Sequence, residues 1–600
     1  MRLFTRRVQK EWSVGRAVRG LVVALTLCAG VLAPVGAATA TRPSAALPLP
    51  LELLFDNTAV SEDVRPAEAD FDGAGRSLPA PALAAAGWTP GRTLDVQGTR
   101  LTWPRSAPGR PDNVRAEGQR VDVRGRGDAL AFLVAGTAGS ATGGAGTVRY
   151  AGGGRSSYLL SAPDWRTGPL ATKAVALPYL NTPGGPVTAT VRLYVVTVPL
   201  LRGGRVRSVT LPHAPDLHVF AMAVHSAAPG WTGSWAASTS GYPAVGPWTD
   251  RTLRLVVHTS VGGPGVRLRF ANTFAAERVR IGGATVAVRA SGAAARGTPL
   301  PVSFDGSAGV TLPAGAQAVS DPLHFAVPAD ADLLVSFHLP DRVAAAPVHR
   351  LARQRSYLSG PGDHTADVSG SAFDAALTSW PLLTGVDVAG GPGSVVVLGD
   401  SITDGTGSTA GADRRWPDAL AARLRGRSGA PRYGVLNQGI SANRVVTDHY
   451  PGDGVSTDQA GVSALHRLDR DVLAQTSVRT LVVLEGVNDL LAGTPPARIT
   501  FGLAELARRA HARGVRVLAA TLTPCSGWRA CTGTVDARRA AVNSWIRASD
   551  AFDAVLDFDA VVRDPARPDR LLSAYDSGDH LHPGDAGYAA LAASVDLALL

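Results

Sequence analysis

Cysteine is nearly absent from this chain, with three in 600 residues. That excludes a small scaffold held together by many disulfides, and no second Cys or His pair stands at the spacing of a zinc finger. Charge is sparse too, at 18% of residues, with a net excess of +10. Half of that excess lies in residues 1–40, where Arg2, Arg6, Arg7, Lys10, Arg16 and Arg19 face only Glu11. The remaining basic residues are scattered, which excludes the dense stripe that a nucleic-acid backbone requires. Lysine occurs only at Lys10 and Lys173, and the Arg, Ala and Gly richness reads as a compositional bias rather than the mark of a partner. Beyond residue 40 no apolar run reaches the roughly 20 residues of a membrane span.

What is present points to a large globular protein. Apolar residues make up 45% of the chain, enough for several cores, and the length suggests about three or four domains. A basic start, an apolar stretch from Leu21 to Leu32 and small residues through Ala40 have the order of a secretory signal peptide, with cleavage options near Ala38 or Ala40. The expected mature protein is therefore secreted and extracellular, with no stable membrane insertion. Cys28 falls in the discarded segment. Cys525 and Cys531 then remain, and two cysteines six apart in an exported chain most simply form one disulfide.

Residues 41–230 alternate short β-type runs with Gly and Pro punctuation, including Ala129 to Val134, Thr147 to Tyr150 and Thr188 to Val198. Many short strands without helical periodicity predict a β-sandwich. Residues 231–375 predict a second sandwich, with strands at Thr252 to His258, Val266 to Phe270 and Asp332 to Phe337. In Val266-Arg267-Leu268-Arg269-Phe270 the alternation predicts one wet and one buried face. Residues 376–393 read as a linker ending in Gly390-Gly391-Pro392-Gly393. From residue 394 to 600 apolar runs (Val395 to Leu398, Val435 to Leu436, Leu481 to Leu484, Val515 to Leu522, Ala554 to Phe558) alternate with helical segments such as Ile499 to Arg513 and Val535 to Ser549. That alternation predicts a parallel sheet covered on both faces, with chemistry at the carboxyl ends of its strands.

The first of these strands ends in Gly399-Asp400-Ser401-Ile402. A serine on a turn directly after a buried strand is placed as a nucleophile can be, although Gly-Asp-Ser is also an ordinary helix cap. A serine needs a base, and Asp576-Ser577-Gly578-Asp579-His580-Leu581-His582 offers two carboxylate–imidazole pairs, Asp579 with His582 and Asp576 with His580. Asp363-His364 is a further pair of this kind, read as a decoy. Asn437-Gln438-Gly439-Ile440-Ser441 and Glu485-Gly486-Val487-Asn488-Asp489 follow the second and third strands, where a glycine N–H and an asparagine amide can join the Ser401 N–H around an oxyanion. Trp88, Trp103 and Trp165 could stack on sugars, but a sandwich tryptophan is more often core.

Together these blocks resemble the SGNH, or GDSL-type, hydrolase family of esterases and acylhydrolases, over about Ser394 to Leu600. The resemblance implies an α/β flavodoxin-like domain in which Ser401 is the nucleophile, Gly439 and Asn488 are oxyanion donors, His582 is the base and Asp579 its carboxylate. It is the resemblance that selects His582 over His580. The stretch from Trp231, with Gly-Ser-Trp-Ala-Ala-Ser and His258-Thr259-Ser260, is similar to a β-domain that precedes such hydrolases in secreted proteins, including xylanase-associated arylesterase-like relatives. Ala69-Asp70-Phe71-Asp72-Gly73 and Pro111-Asp112-Asn113-Val114 resemble a sandwich module of secreted carbohydrate-active enzymes. The expectation is a serine esterase acting on an acylated carbohydrate or small ester, with no cofactor and no metal. The rival readings are a lipase of the same fold and a non-catalytic glycan or cell-wall binder. Oligomeric state is not legible.

Overall fold

The computed structural model describes residues 47–226, 228–429 and 431–600. The signal peptide expected at residues 1–40, with Cys28, lies outside them. Among the described residues no helix is long and apolar enough to cross a membrane.

The first module is a sandwich of two antiparallel sheets. One runs Lys173–Thr182, Gly185–Pro199, Ala129–Gly136, His213–His225, Val114–Glu117 in spatial order, and the other includes Arg155–Ala162, Thr142–Tyr150 and Arg205–Thr210. Ala129–Gly136 is buried along its whole length because both its faces are covered. Leu130, Phe132 and Val134 point into the core between the sheets. Ala131, Leu133 and Ala135 point the other way, into a second core with Trp88, Trp103 and Trp165. Those three tryptophans are 1%, 3% and 0% exposed, so none offers a sugar-stacking face.

The second module is also a sandwich, but its boundaries differ from those expected. One sheet runs Trp231–Ala236, Leu383–Ala389, Gly263–Ala271, Gln317–Val319, Thr93–Val96, Thr99–Thr102. The stretch 376–393, read as a linker, therefore supplies an inner strand: Leu383–Ala389 pairs on both sides and carries buried Val386 and Val388 into the core. Its small residues and terminal glycines conceal that role in sequence. At the other edge the hairpin Thr93–Thr102, from the first module's part of the chain, extends the second module's sheet through Gln317 opposite Asp95. The face expected to be wet is dry. Arg269 is 6% exposed, and Arg267 and Arg269 reach across to Asp387 and to Thr476 of the third domain. The arginines alternate with apolar residues because that face packs against another domain.

The third domain holds five parallel strands, β1 (Ser394–Gly399), β2 (Gly434–Gly439), β3 (Val478–Leu484), β4 (Arg516–Ala520) and β5 (Ala554–Leu556). Their spatial order is 2-1-3-4-5, the flavodoxin-like arrangement. Both faces are covered. Val396, Leu398, Leu481 and Val483 pack against helices α4 (Pro496–Ala512) and α5 (Gly533–Ala548). Val395, Val397 and Val482 pack on the opposite side with Trp416 and Leu420 of helix α2 (Trp416–Gly426) and with Tyr588. This two-sided burial explains why β1 and β3 read as continuous apolar runs.

Candidate functional site

At the carboxyl end of β1 the chain turns directly into a single helical turn, α1 (Ser401–Asp404). Asp400 caps it by accepting the N–H of Ile402 at 3.0 Å, and Gly405, at φ 102°, ends it. Ser401 is thus the first residue of the turn, and its own N–H has no partner among the described residues. Gly399 must be glycine, since a Cβ there would run into Thr403 and the carbonyl of Leu484.

The loop 576–584 brings the imidazole to this serine. His582 Nε2 lies 2.8 Å from Ser401 Oγ, and His582 Nδ1 lies 2.6 Å from Asp579 Oδ2. Asp579 Oδ1 also accepts the N–H groups of Leu581 and His582, at 2.9 and 2.8 Å. Burial pushes the Asp579 carboxyl up, but the N–H and imidazole of His582 and the N–H of Leu581 outweigh it and hold it below the usual carboxylate range. The competing pair also forms, His580 Nδ1 to Asp576 Oδ2 at 2.6 Å, but His580 is half exposed and makes no bond to Ser401. His364 pairs with Asp367 far away in the second sandwich.

The donors are arranged partly as expected. Asn488 lies in the short helix α3 (Val487–Leu491), directly after β3, and its Nδ2 is buried with no hydrogen-bond partner among the described residues. A buried amide left without an acceptor is unusual and marks a place where an acceptor can arrive. Gly439 is different. Its N–H donates to Asn437 Oδ1 at 2.9 Å, so it is not free for an oxyanion. Its lack of a side chain serves packing, because a Cβ would collide with the backbone of Asp404. Further along, the N–H of Ile440 goes to Gly399 O and that of Ser441 to Asp404 Oδ2, and Asn443 N–H returns to Ile440 O. Ala442 has the first N–H past β2 without a partner, and it holds a left-handed backbone with φ 65°. A left-handed alanine has no signature in sequence, whereas the glycine three residues earlier draws the eye.

The buried charge network around Arg467 and the placing of Trp528 beside the histidine were not legible, whereas the disulfide was. Arg467 is fully buried and donates to Gly399 O at 3.0 Å, to Gln438 O at 2.6 Å and to Asn443 Oδ1 at 2.9 Å, tying the ends of β1 and β2 together. Around it lie buried Asp400, Glu485 and Asp489. Burial pushes Asp400 up to about 7, opposed by the N–H of Ile402 and reinforced by Asp489, and burial together with Asp400 raises Glu485. Cys525 and Cys531 are disulfide-bonded, and the loop between them sets Trp528 beside His582. His258, Asp332 and Asp413 also approach one another, where Arg289 and Arg415 pair with the two carboxylates.

A parallel sheet presenting a serine, an imidazole and an unpartnered amide at its carboxyl edge defines an ester hydrolase. Residues 397–590 match the GDSL-like lipase/acylhydrolase family, so the third domain is a GDSL-type ester-hydrolase domain. Residues 45–228 match the AziU2-like β-sandwich domain. Similar solved structures include a putative lipolytic protein of the G-D-S-L family from Desulfitobacterium hafniense, 20% identical, covering 34% of this chain and 99% of that one with a TM-score of 0.27. Others are a GDSL-like lipase from Bacteroides thetaiotaomicron (19% identical, 34% and 87% covered, TM-score 0.26) and a catalytic mutant of an acetylxylan esterase from Geobacillus stearothermophilus (19%, 34% and 91%, TM-score 0.25). No curated protein matches the sequence significantly.

Proposed function

We propose that the protein is a secreted serine esterase that removes acyl groups, acetyl above all, from a carbohydrate. The observation that carries the reading is the hydrogen-bonded line from Ser401 Oγ through His582 to Asp579. In this mechanism His582 Nε2 takes the Ser401 proton as Oγ attacks the ester carbonyl. Asp579 fixes the tautomer and stabilises the imidazolium. The tetrahedral oxyanion is met by the N–H of Ser401, the Nδ2 of Asn488 and the N–H of Ala442, which takes the part expected of Gly439. His582 then protonates the leaving alcohol, and a water activated by the same imidazole releases the acyl group from Ser401.

The half-buried indole of Trp528, beside His582, supports the carbohydrate side of the reading, because sugar rings and aromatic faces pack well together. The test is acetate release from acetylated xylan, pectin and peptidoglycan, with a series of esters of rising acyl length. Preference for acetyl on one glycan supports the proposal. Preference for long acyl chains replaces the glycan substrate with a lipid. Failure of Ser401 to react with a fluorophosphonate probe removes the esterase reading altogether. Recovery of the protein from culture medium, starting near residue 39 or 41, tests secretion.

A further inference from the structure

We infer that the second β-sandwich supplies a positioning residue to the hydrolase site, His349, which acts through Asp404 on the Ser441–Ala442 segment; the inference rests on the esterase reading above. His349 ends the two-residue strand Val348–His349, and its ring is buried against Trp380 with centroids 5.4 Å apart. Its Nδ1 faces the carbonyl of Ser238 at 3.0 Å. Its Nε2 faces Asp404 Oδ1 at 3.0 Å and the carbonyl of Leu351 at 3.2 Å. All three partners present oxygens that can accept, an arrangement that favours donation from both ring nitrogens. Burial pulls its pKa down, but the Asp404 carboxylate pulls harder and the net direction is up.

Asp404 is the hinge of the arrangement. It closes the turn that Ser401 opens, its N–H bonded to Asp400 O at 2.8 Å. Its Oδ1 takes the His349 bond, and its Oδ2 accepts both the N–H and the hydroxyl of Ser441 at 2.9 Å. Ala442, with its unpartnered N–H, is the next residue. A carboxylate 3% exposed needs hydrogen-bond donors on both of its oxygens to be held in one orientation. The sandwich provides one in His349, and the hydrolase domain spends it on fixing the loop beside its nucleophile. The second sandwich is then part of the catalytic apparatus, although it contributes no group that touches substrate.

The experiment uses the full chain with 4-nitrophenyl acetate. His349→Ala is expected to lower kcat by roughly 10- to 100-fold, the scale of a weakened oxyanion donor, with KM within about twofold of wild type. His349→Gln, which keeps one donor for Asp404, is expected to recover part of that loss. Arg267→Ala loosens the same interface away from Asp404 and is expected to lower the melting temperature while leaving kcat unchanged. Wild-type kcat in His349→Ala, or, should the alanine variant not fold, in His349→Leu, which keeps the bulk but offers Asp404 no donor, overturns the inference alone. So does an equal kcat loss in Arg267→Ala. A wild-type chain that neither hydrolyses the ester nor reacts with a fluorophosphonate overturns the esterase reading and this inference with it.

Discussion

The indole of Trp528 meets the imidazole of His582 edge-on, with ring centroids 6.1 Å apart and planes at 81°. The disulfide loop that carries it is packed tightly on the histidine loop. Gly527 lies so close to His580 that a Cβ would come within 2.8 Å of its side chain, and Leu581 packs against Cys525 and Cys531. Replacing both cysteines by serine is expected to lower unfolding free energy by about 2 kcal/mol, the cost of freeing a short loop in the unfolded chain. It should also lower kcat on 4-nitrophenyl acetate, since the wall behind His582 loosens. Urea denaturation and steady-state kinetics on one preparation check both, and unchanged turnover would detach the loop from the chemistry.

Ser401→Ala is expected to reduce turnover by roughly 10⁴-fold or more, because the nucleophile and its base act as a unit. The urea midpoint should hardly move. Residual activity near wild type would show that another residue attacks the ester.

Asn488→Ala separates stability from catalysis. Loss of one oxyanion donor is expected to cost about 10² to 10³ in kcat with little change in KM. Stability should not fall by the usual cost of a broken buried hydrogen bond, since Nδ2 has no partner to lose. Thermal denaturation beside kinetics reads both, and a change confined to KM would contradict the assignment.

Asp400 gives the protein a pH signature. With its carboxyl pushed up to about 7 by burial, the folded chain retains a proton that the unfolded chain, with an ordinary value of about 4, has released. Stability from this group is therefore present below about pH 4 and drains away as pH rises to about 7. Asp400→Asn can still cap α1 through its side-chain oxygen and has no proton to lose. Its melting temperature relative to wild type is expected to climb between pH 4 and pH 8. A constant difference across that range would refute the account.

Asp387 binds Arg267 and Arg269 at 2.8 and 3.3 Å and accepts the Thr476 hydroxyl at 2.7 Å. Asp387→Ala strands the largely buried arginine charges and is expected to cost about 3–5 kcal/mol. Equilibrium unfolding followed by tryptophan fluorescence measures it, and a loss below about 1 kcal/mol, the level of an exposed pair, would mean the interface is wet.

The parallel-sheet domain was the most legible part of the chain, because strands buried on both faces leave continuous apolar runs, as in Val395 to Leu398. Ser401 could be picked out because it directly follows a buried strand, and the 576–582 loop because it holds two carboxylate–imidazole pairs, but the choice of His582 and Asp579 over His580 and Asp576 came from the family resemblance. Leu383–Ala389 was hidden by its setting among turn residues. Arg269 misled because period-two alternation reports two different faces and not which one meets water. Ala442 was hidden more deeply, since its relevance lies in a backbone angle and an idle N–H, neither of which a side chain encodes. The reach of His349 into the hydrolase domain depends on contact between distant segments, which local pattern does not carry.

The hairpin Thr93–Thr102 has a bearing on how this protein can be cut and recombined. Trp88 Nε1 donates to Ala314 O at 3.0 Å, and Gln317 Nε2 to Asp95 Oδ1 at 2.7 Å, so the seam is sewn by side chains as well as by strand pairing. A fragment that begins after residue 230 would lose the outermost strands of that sheet and lay bare a raw edge ready to recruit a neighbouring molecule. The modules are thus joined through a shared sheet, and any fragment meant for expression has to carry residues 93–102 along with the second sandwich and the hydrolase.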